Sequence, residues 1–433
     1  MISPAPSAHL NRDAIAPTPP RRTELDWLRV LIIVGLIPFH VVGLFAVAIV
    51  SYVQGEPTSQ VLTIFSEFFG LWPMSLLFLV AGAGTWFALG RRTARQYVGE
   101  RLLRLFVPFL FATLVIIPIQ VYAIVSVYPQ LIGIGIIPDV GLHGDESFIT
   151  FYPVYLKGYA YFLTHFSIVR ETVFWGHLWF IPRLLLYALA TLPLLLWLRS
   201  EGGMRFIERL SRLFDWPGST LLLGLAIATP RILAAAWFRL SGRSFPDASW
   251  GTYELWAQLG VFMMCFVLGY LIYASPRLLR TIQRDGSAAL AIGIIGYILL
   301  QTPLGHLASV TEITPGGILM IFLRAESEWL LVAGVLSVGL RFLTVSNALL
   351  VYLNEAAYPL YVLHMPVLIL VGLTVTQGEL SRIVTLPTIV LATLALTLGI
   401  YEFAIKRVPV LRLLFGLKPK PSHTTKARHH MAM

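Results

Sequence analysis

Long apolar runs, each close to the length of a membrane-spanning helix, recur along the whole chain. A helix needs about 20 consecutive apolar residues to cross the hydrocarbon core of a bilayer. The 433 residues are 57% hydrophobic and only 12% charged, whereas about a quarter of the residues in a soluble domain are charged. The runs do not alternate between apolar and polar residues, so they do not indicate the strands of a transmembrane barrel. We therefore predict an all-α polytopic membrane protein.

Ten of the apolar stretches predict transmembrane helices. The eighth is interrupted by Arg324, Glu326 and Glu328. The aromatic stretch 150–170 predicts either an interfacial helix or an eleventh, re-entrant element. The ten predicted spans are 25–51, 60–89, 105–128, 176–198, 218–238, 253–274, 286–303, 317–343, 349–375 and 381–405.

Lysine and arginine residues are concentrated on one side of this arrangement. If the N-terminus is cytoplasmic, 23 of the 32 fall in cytoplasmic segments and 5 in outer segments, which is the usual bias of membrane proteins. We therefore predict that both termini are cytoplasmic and that the protein lies in the inner (plasma) membrane. The predicted parts are a cytoplasmic segment 1–23, a membrane domain 24–405 and a basic, disordered cytoplasmic tail 406–433. The tail is either inert or in contact with anionic lipid.

Composition also excludes several classes of protein. The net charge of +10 follows the predicted topology, so no nucleic-acid partner is expected. The single cysteine, Cys265, rules out a disulfide framework, and the scattered histidines have no carboxylate or cysteine partners at ligand spacing, so no metal is expected. The first 23 residues are polar and Pro-rich, and we expect no cleaved signal peptide. No soluble catalytic domain, phosphate-binding glycine motif or internal repeat is recognisable.

The first predicted span carries ionisable residues where apolar ones are expected. Arg29 and His40 are 11 residues apart, which is about three helical turns, so both side chains lie on one face. Asp26, one turn before Arg29, can pair with it. Ionisable residues deep in a bilayer are costly and indicate a functional site. The structural alternative is an arginine that reaches the interface and a histidine bonded to a neighbouring helix.

Arginines also open the third predicted span. Arg101 and Arg104, in the sequence "RLLR", form a compact cationic patch of the kind that binds phosphate. Ordinary anchoring at the cytoplasmic surface explains them equally well at this point.

Two later stretches place polar residues in apolar surroundings. In "GHLWFIPRLLLY", residues 176–187, His177 and Trp179 are expected at the outer interface, where aromatic residues are common, and Arg183 lies deeper. In "EAAYPLYVLHMP", residues 355–366, His364 lies well inside the ninth span between two prolines, which often border a cavity. A structural histidine bonded to a helix backbone is the alternative for His364. Glu67 and Arg231 are further polar intrusions, and either could face water near the outer boundary.

Together these stretches resemble the acyltransferase-3 family of integral membrane acyltransferases. The shared pattern consists of Arg29-x10-His40, Arg101-x-x-Arg104, "GHLWF" at 176–180 and "YPLYVLHMPV" at 358–367. The resemblance spans residues 24 to about 405, and the four motifs in this order are fairly specific for the family but much less so for a substrate. Within the family, residues 25–40 and 355–366 are most similar to the type that decorates periplasmic glucans with succinyl groups.

The resemblance implies transfer of an acyl group, acetyl or succinyl, from cytoplasmic acyl-CoA to a hydroxyl of an extracytoplasmic carbohydrate such as a glucan. On this basis we assign His40 as general base, Arg29 as an oxyanion or donor-positioning residue, and Arg101 and Arg104 as contacts of the CoA phosphates. Acyl-CoA is then a co-substrate, no cofactor is expected to stay bound, and the other partners are the carbohydrate acceptor and the bilayer. The residues expected to bind substrate are His177, Trp179, Arg183, His364 and Glu67.

Two other function classes remain open from the residues alone. A transporter or flippase for a glycan or lipid-linked substrate would use the same buried Arg and His side chains as a substrate or proton path. It would move its cargo unaltered, whereas the enzyme consumes acyl-CoA. A sensory or scaffold protein would not need the buried polar residues.

Overall fold

The computed structural model describes residues 22–43, 59–127, 147–164, 174–240, 250–306, 314–376, 378 and 381–418. All secondary-structure elements in these ranges are helices, as the apolar pattern predicts. π-Helical turns occur at Leu102–Phe106, Ala112–Ile116 and Tyr401–Ile405. The helices are α1 Thr23–Gly43, α2 Gln60–Leu71, α3 Pro73–Leu89, α4 Ala94–Val127, α5 Phe148–Thr164, α6 Phe180–Ala190, α7 Leu192–Leu198, α8 Glu201–Ser211, α9 Thr220–Leu240, α10 Trp250–Ala274, α11 Pro276–Leu300, α12 Pro315–Phe342, α13 Ala348–Val375, α14 Ile383–Ile405 and α15 Pro409–Leu414.

Each of the ten predicted spans overlaps a helix, but the predicted count of ten spans is not confirmed. Within the described residues, seven helical segments are long and apolar enough to cross a bilayer, or eight if the bent pair α6–α7 is one span. The first turns of α11 carry Arg277, Arg280 and Arg284, which shorten its apolar part. In α12 the interruption by Arg324, Glu326 and Glu328 has the same effect.

Two predicted spans are broken. Trp72 separates α2 from α3, and Pro73 occupies the first turn of α3, where its missing N–H costs nothing. The span predicted at 176–198 begins with a 3₁₀ turn, Gly176–Trp179, and bends by 51° between α6 and α7. In both places the helix is interrupted inside a segment that the sequence predicts to be one continuous span.

Short connections gather many helix ends at one end of the bundle, which we call the basic end. Tyr273, at the end of α10, donates its hydroxyl hydrogen to Glu24 at the start of α1 over 3.3 Å. Arg199, after α7, donates to the carbonyl of Trp86 in α3 over 2.9 Å. The indole of Trp27 donates to the carbonyl of Val345, just before α13. These helix ends border the segments that carry most of the lysines and arginines. The basic end is therefore the side predicted to be cytoplasmic.

The helices form two packed groups joined by α1. Helix α3 packs along α10, α11 along α12, and α9 against both α10 and α12, while α13 packs against α1, α4 and α14. Helix α1 also contacts α2, α3 and α12. Because α1 touches both groups, a side chain on α1 can lie where they meet.

Helix α5, which covers most of the ambiguous stretch 150–170, runs alongside α4. The Tyr155 hydroxyl donates to the carbonyl of Thr113 over 2.8 Å, and the Tyr152 hydroxyl donates to the carbonyl of Leu114 over 3.0 Å. Pro118 lacks the N–H that would otherwise bond Leu114, so this carbonyl is open to a side chain. Residues 165–170 lie outside the described residues.

The structure describes only part of the predicted tail. Residues 406–418 include α15, and the guanidinium of Arg412 donates to Glu355 of α13 over 2.9 Å. Residues 1–21, 128–146, 165–173 and 419–433 lie outside the described residues.

Candidate active site

Helices α1 and α13 run side by side in the same direction, and this places Arg29 and His40 against one partner helix. The guanidinium of Arg29 donates to the side-chain oxygen of Asn354. The His40 and His364 rings have centroids 5.5 Å apart. The two contacts join positions separated by nearly the same number of residues, 325 and 324, as two parallel helices in register require. The face shared by Arg29 and His40, predicted from their spacing, is therefore the face toward α13.

His40 lies in the half of the bundle away from the basic end. Seventeen residues separate it from Thr23, which is about 25 Å at 1.5 Å per residue. Its ring is half-buried and meets the ring of Phe39 edge-on at 4.9 Å. Within the described residues His40 makes no hydrogen bond or ion pair, so its nitrogens are free to handle a substrate proton.

A third imidazole, that of His177, completes a cluster with His40 and His364. The ring centroids of His177 and His364 are 5.0 Å apart. Nε2 of His177 lies 3.0 Å from the carbonyl oxygen of Val362. This carbonyl is four residues before Pro366, which has no N–H to occupy it, so the proline creates the acceptor that holds His177. The cluster thus joins three stretches that are far apart in sequence.

The turn that carries His177 depends on Gly176. Gly176 has φ +50, in the left-handed region that glycine enters at little cost. His177 is only 8% exposed, and the Tyr361 hydroxyl donates to its backbone carbonyl. Sequence analysis placed His177 at the outer interface, and the structure instead buries it between helices.

Trp179 and Arg183 lie next to the cluster in an aromatic group. The ring of Trp179 stacks on Phe262 of α10 at 5.5 Å, and the guanidinium of Arg183 lies 4.5 Å from the centroid of the Trp179 ring. Arg183 is 6% exposed. Phe180 touches both Phe78 at 4.5 Å and Tyr361 at 6.0 Å. The group connects the histidine cluster on α13 with α3 and α10.

Arg101 and Arg104 lie on α4 toward the basic end. Arg101 donates to the hydroxyl of Thr85 over 3.2 Å and lies over the Tyr97 ring. In the described part of the chain Arg104 has no hydrogen-bond or ion-pair partner for its side chain. Gly416 lies against both the carbonyl of Arg104 and the ring of Tyr358, so this turn of α4 borders the half of α13 that binds Arg29.

Two predicted polar intrusions are not part of the histidine cluster. Glu67 is exposed on α2 and accepts a hydrogen bond from Gln301 over 2.9 Å. Arg231 is buried, contrary to the expectation that it could face water, and pairs with Glu328 at 2.7 Å. The pair is buried because α9 and α12 pack directly against each other.

Sequence reasoning missed Asn354, the partner of Arg29. An asparagine in an apolar helix is a weak signal on its own, but it lies ten residues before His364 just as Arg29 lies 11 before His40. That parallel spacing was available in the sequence. Among the described residues, no three His, Cys, Asp or Glu side chains are arranged to hold a metal ion.

Comparison with known proteins identifies one matching family and a set of similar relatives. A family model described as an acyltransferase domain matches residues 22–402. Relatives named glucans biosynthesis protein C, from Salmonella paratyphi A, Salmonella agona and Salmonella enteritidis, are 24% identical over 418 residues, covering 94% of this chain and 98% of each relative. No solved structure matches the chain significantly.

Proposed function

Because the chain belongs to this acyltransferase family and is therefore a membrane acyltransferase, we propose that it transfers an acyl group, acetyl or succinyl, from cytoplasmic acyl-CoA to a hydroxyl of an extracytoplasmic carbohydrate such as a glucan. The observation that carries the proposal is His40. It is an imidazole without a hydrogen-bond partner among the described residues, set between helices beside two further histidines.

His40 supplies acid–base chemistry in this proposal. One ring nitrogen takes the proton from the attacking hydroxyl as its oxygen forms a bond to the acyl carbon. The carbon–sulfur bond then breaks, and the same proton passes to the leaving thiolate to give CoA-SH. A positioned general acid–base contributes about 10²- to 10⁴-fold to a rate. The net reaction needs no oxidant or reductant, and its only proton comes from the attacking hydroxyl.

The donor is proposed to enter from the basic end. CoA is polyanionic, and Arg101 and Arg104 are two cations on α4, of which Arg104 lies on the turn next to α13. Arg29 is about 16 Å from His40 along α1. Its side chain is 42% exposed even though it is bonded to Asp26 and Asn354, so it can also contact the donor arm or stabilise developing negative charge.

The acceptor is proposed to arrive from the opposite end. His40 and His364 lie about 25 Å from the basic end by helical rise, which is most of a hydrocarbon core about 30 Å thick. Trp179 and Arg183 border that half of the site. The printed name of the Salmonella relatives favours a glucan as the acceptor. Glu67 lies on α2, outside the histidine cluster, and is proposed only as a distal contact of the acceptor.

The test replaces His40 with alanine. We expect His40→Ala to reach the membrane at the wild-type level and to lower acyl transfer by about 100-fold or more. Leu31→Ala is the matched control, because Leu31 is 50% exposed on the same helix and should keep wild-type activity. The measurements are CoA release by purified protein and the mass of surface glycans from cells expressing each variant.

Two outcomes would contradict the proposal. Acylated product at the wild-type level in His40→Ala would remove His40 from the chemistry. Wild-type protein that moves a glycan across vesicles without releasing CoA would identify a transporter, for which the buried ionisable residues would form the path.

A further inference from the structure

Both His177 and His364 have one ring nitrogen fixed by a backbone carbonyl. Nε2 of His177 lies 3.0 Å from the carbonyl oxygen of Val362, and Nδ1 of His364 lies 2.7 Å from the carbonyl oxygen of Tyr361. A carbonyl oxygen can only accept a hydrogen bond, so the bonded nitrogen carries the hydrogen in each ring. In the neutral rings, Nδ1 of His177 and Nε2 of His364 therefore present lone pairs.

These two lone pairs are buried without a donor. Neither Nδ1 of His177 nor Nε2 of His364 is exposed, and neither has a hydrogen-bond partner among the described residues. His364 itself is 1% exposed. Buried polar atoms in folded proteins are nearly always paired, and an unpaired one costs free energy. An orphan acceptor inside a catalytic cluster is therefore a place where a donor is expected during the reaction.

Three described rings contact the His364 ring, those of Tyr361, His177 and His40, and one of them is a candidate for this donor. From its own helix comes Tyr361, whose hydroxyl is already donated to the carbonyl of His177. From the 3₁₀ turn comes His177, whose N–H is committed to Val362. From α1 comes His40, with its ring centroid 5.5 Å away. A small side-chain rotation brings two ring nitrogens at this separation to about 3 Å, the length of a hydrogen bond.

We propose that His364 is a positioning residue whose Nε2 accepts a hydrogen bond from His40 at the stage when His40 holds the proton of the attacking hydroxyl. This inference rests on the proposed function, in which His40 is the general base. Neutral His40 offers one N–H, but protonated His40 has hydrogens on both nitrogens. One is returned to the thiolate, and the other is bound by His364. The acceptor is unpaired in the resting enzyme and paired in the intermediate, so it favours the reaction rather than substrate binding.

Two substitutions at one position separate this role from a structural one. Asparagine reproduces the position of Nδ1 and can keep the bond to Tyr361, but it has no atom at Nε2. Glutamine reaches the position of Nε2 with an oxygen that accepts a hydrogen bond. His364→Asn therefore removes the acceptor at the position of Nε2, and His364→Gln removes the bond to the carbonyl of Tyr361.

We expect His364→Asn to lower kcat by about 10- to 100-fold, the value of one hydrogen bond to a charged group. KM for acyl-CoA should stay unchanged, because the bond forms only after binding. His364→Gln should keep a kcat at least several-fold above that of His364→Asn. Leu31→Ala, on the exposed face of α1, is the control for membrane level and activity.

The outcomes are distinguishable from a failure of the proposed function. If wild-type protein transfers acyl groups and His40→Ala abolishes transfer, the proposed function stands. Equal kcat in His364→Asn and His364→Gln, or a change in KM alone, then overturns the role of His364. If His364→Asn does not accumulate in the membrane, His364→Leu, which also lacks the acceptor, takes its place in the same comparison.

Discussion

At the scale of single residues, the ion pair of Arg231 and Glu328 is a buried charge pair outside the candidate site. Both side chains are 3% exposed, and their charged atoms are 2.7 Å apart. Ser75 of α3 donates its hydroxyl hydrogen to the second oxygen of Glu328. Arg231 directly follows Pro230, against which Gly260 of α10 packs. The pair therefore links three helices, α3, α9 and α12, at the cost of burying two charges.

Breaking this pair from one side should destabilise the protein. Glu328→Gln removes the carboxylate that pairs with the buried guanidinium of Arg231, and breaking a buried ion pair from one side costs about 3–5 kcal/mol. The double variant Arg231→Met with Glu328→Leu removes both charges. Its stability should be closer to that of the wild type than the stability of Arg231→Met alone or Glu328→Leu alone. The measurement is thermal unfolding of purified protein in detergent. Additive losses in the double variant would show that the pair is not coupled.

The residues that the sequence could identify were those with a helical period. The 11-residue step from Arg29 to His40 predicts one face, and both side chains contact α13. The helical period does not determine which helix that face contacts, because this depends on the tertiary structure. Neither the contact of Arg29 with Asn354 nor the approach of His177 to His364 could therefore be predicted from the pattern. The burial of Arg231 had the same cause, because Glu328 was read only as an interruption of the eighth span. The roles of these residues in catalysis stay predictions.

At the scale of helices, α3 and α10 approach each other through glycines. A Cβ on Gly82 would lie 1.8 Å from the carbonyl oxygen of Phe266, and a Cβ on Gly269 would lie 1.9 Å from the carbonyl oxygen of Leu79. The two contacts are reciprocal, with each glycine facing the other helix's backbone. In lipid, where apolar surfaces gain little by meeting each other, such close packing is what holds helices together.

A methyl group at this contact should therefore separate the helices. Gly82→Ala forces the backbones apart, because a carbonyl oxygen cannot move aside as a side chain can, and we expect a loss of about 1–3 kcal/mol, typical of overpacking. Gly84→Ala is the matched control on the same helix, since nothing lies within 4 Å of its added Cβ, and it should be neutral or stabilising by up to about 1 kcal/mol. Thermal unfolding of the two variants side by side measures the difference, and equal stability would contradict the close contact.

Helix positions were more predictable than helix breaks. Apolar composition over about 20 residues locates a helix, and every predicted span overlaps one. The 51° bend between α6 and α7 lies next to Pro193 in the first turn of α7, and hydropathy does not encode such a bend. Proline carries part of the missing signal. Pro73 opens α3, and Pro366 leaves open the carbonyl that holds His177.

At the scale of the whole molecule, the proposed reaction requires that donor and acceptor meet from opposite sides. The arginines proposed to bind CoA lie toward the basic end, and His40 lies about 25 Å from it by helical rise. An orientation with the basic end in the cytoplasm puts the CoA contacts where acyl-CoA is made. The reverse orientation would place them outside the cell, where the donor is absent.

The excess of Lys and Arg predicts the first orientation. A green fluorescent protein fused after Met433 should fluoresce, and alkaline phosphatase fused there should be inactive, because both report a cytoplasmic terminus. Alkaline phosphatase inserted in 52–59, the segment between the first two predicted spans and thus predicted to lie outside, should be active. An insertion at 343–347, between α12 and α13, should be inactive as the internal control. Active phosphatase at the C-terminus would place Arg101 and Arg104 on the wrong side for a cytoplasmic donor. It would overturn the direction of transfer while leaving the chemistry proposed for His40 intact, so topology and mechanism can be tested independently.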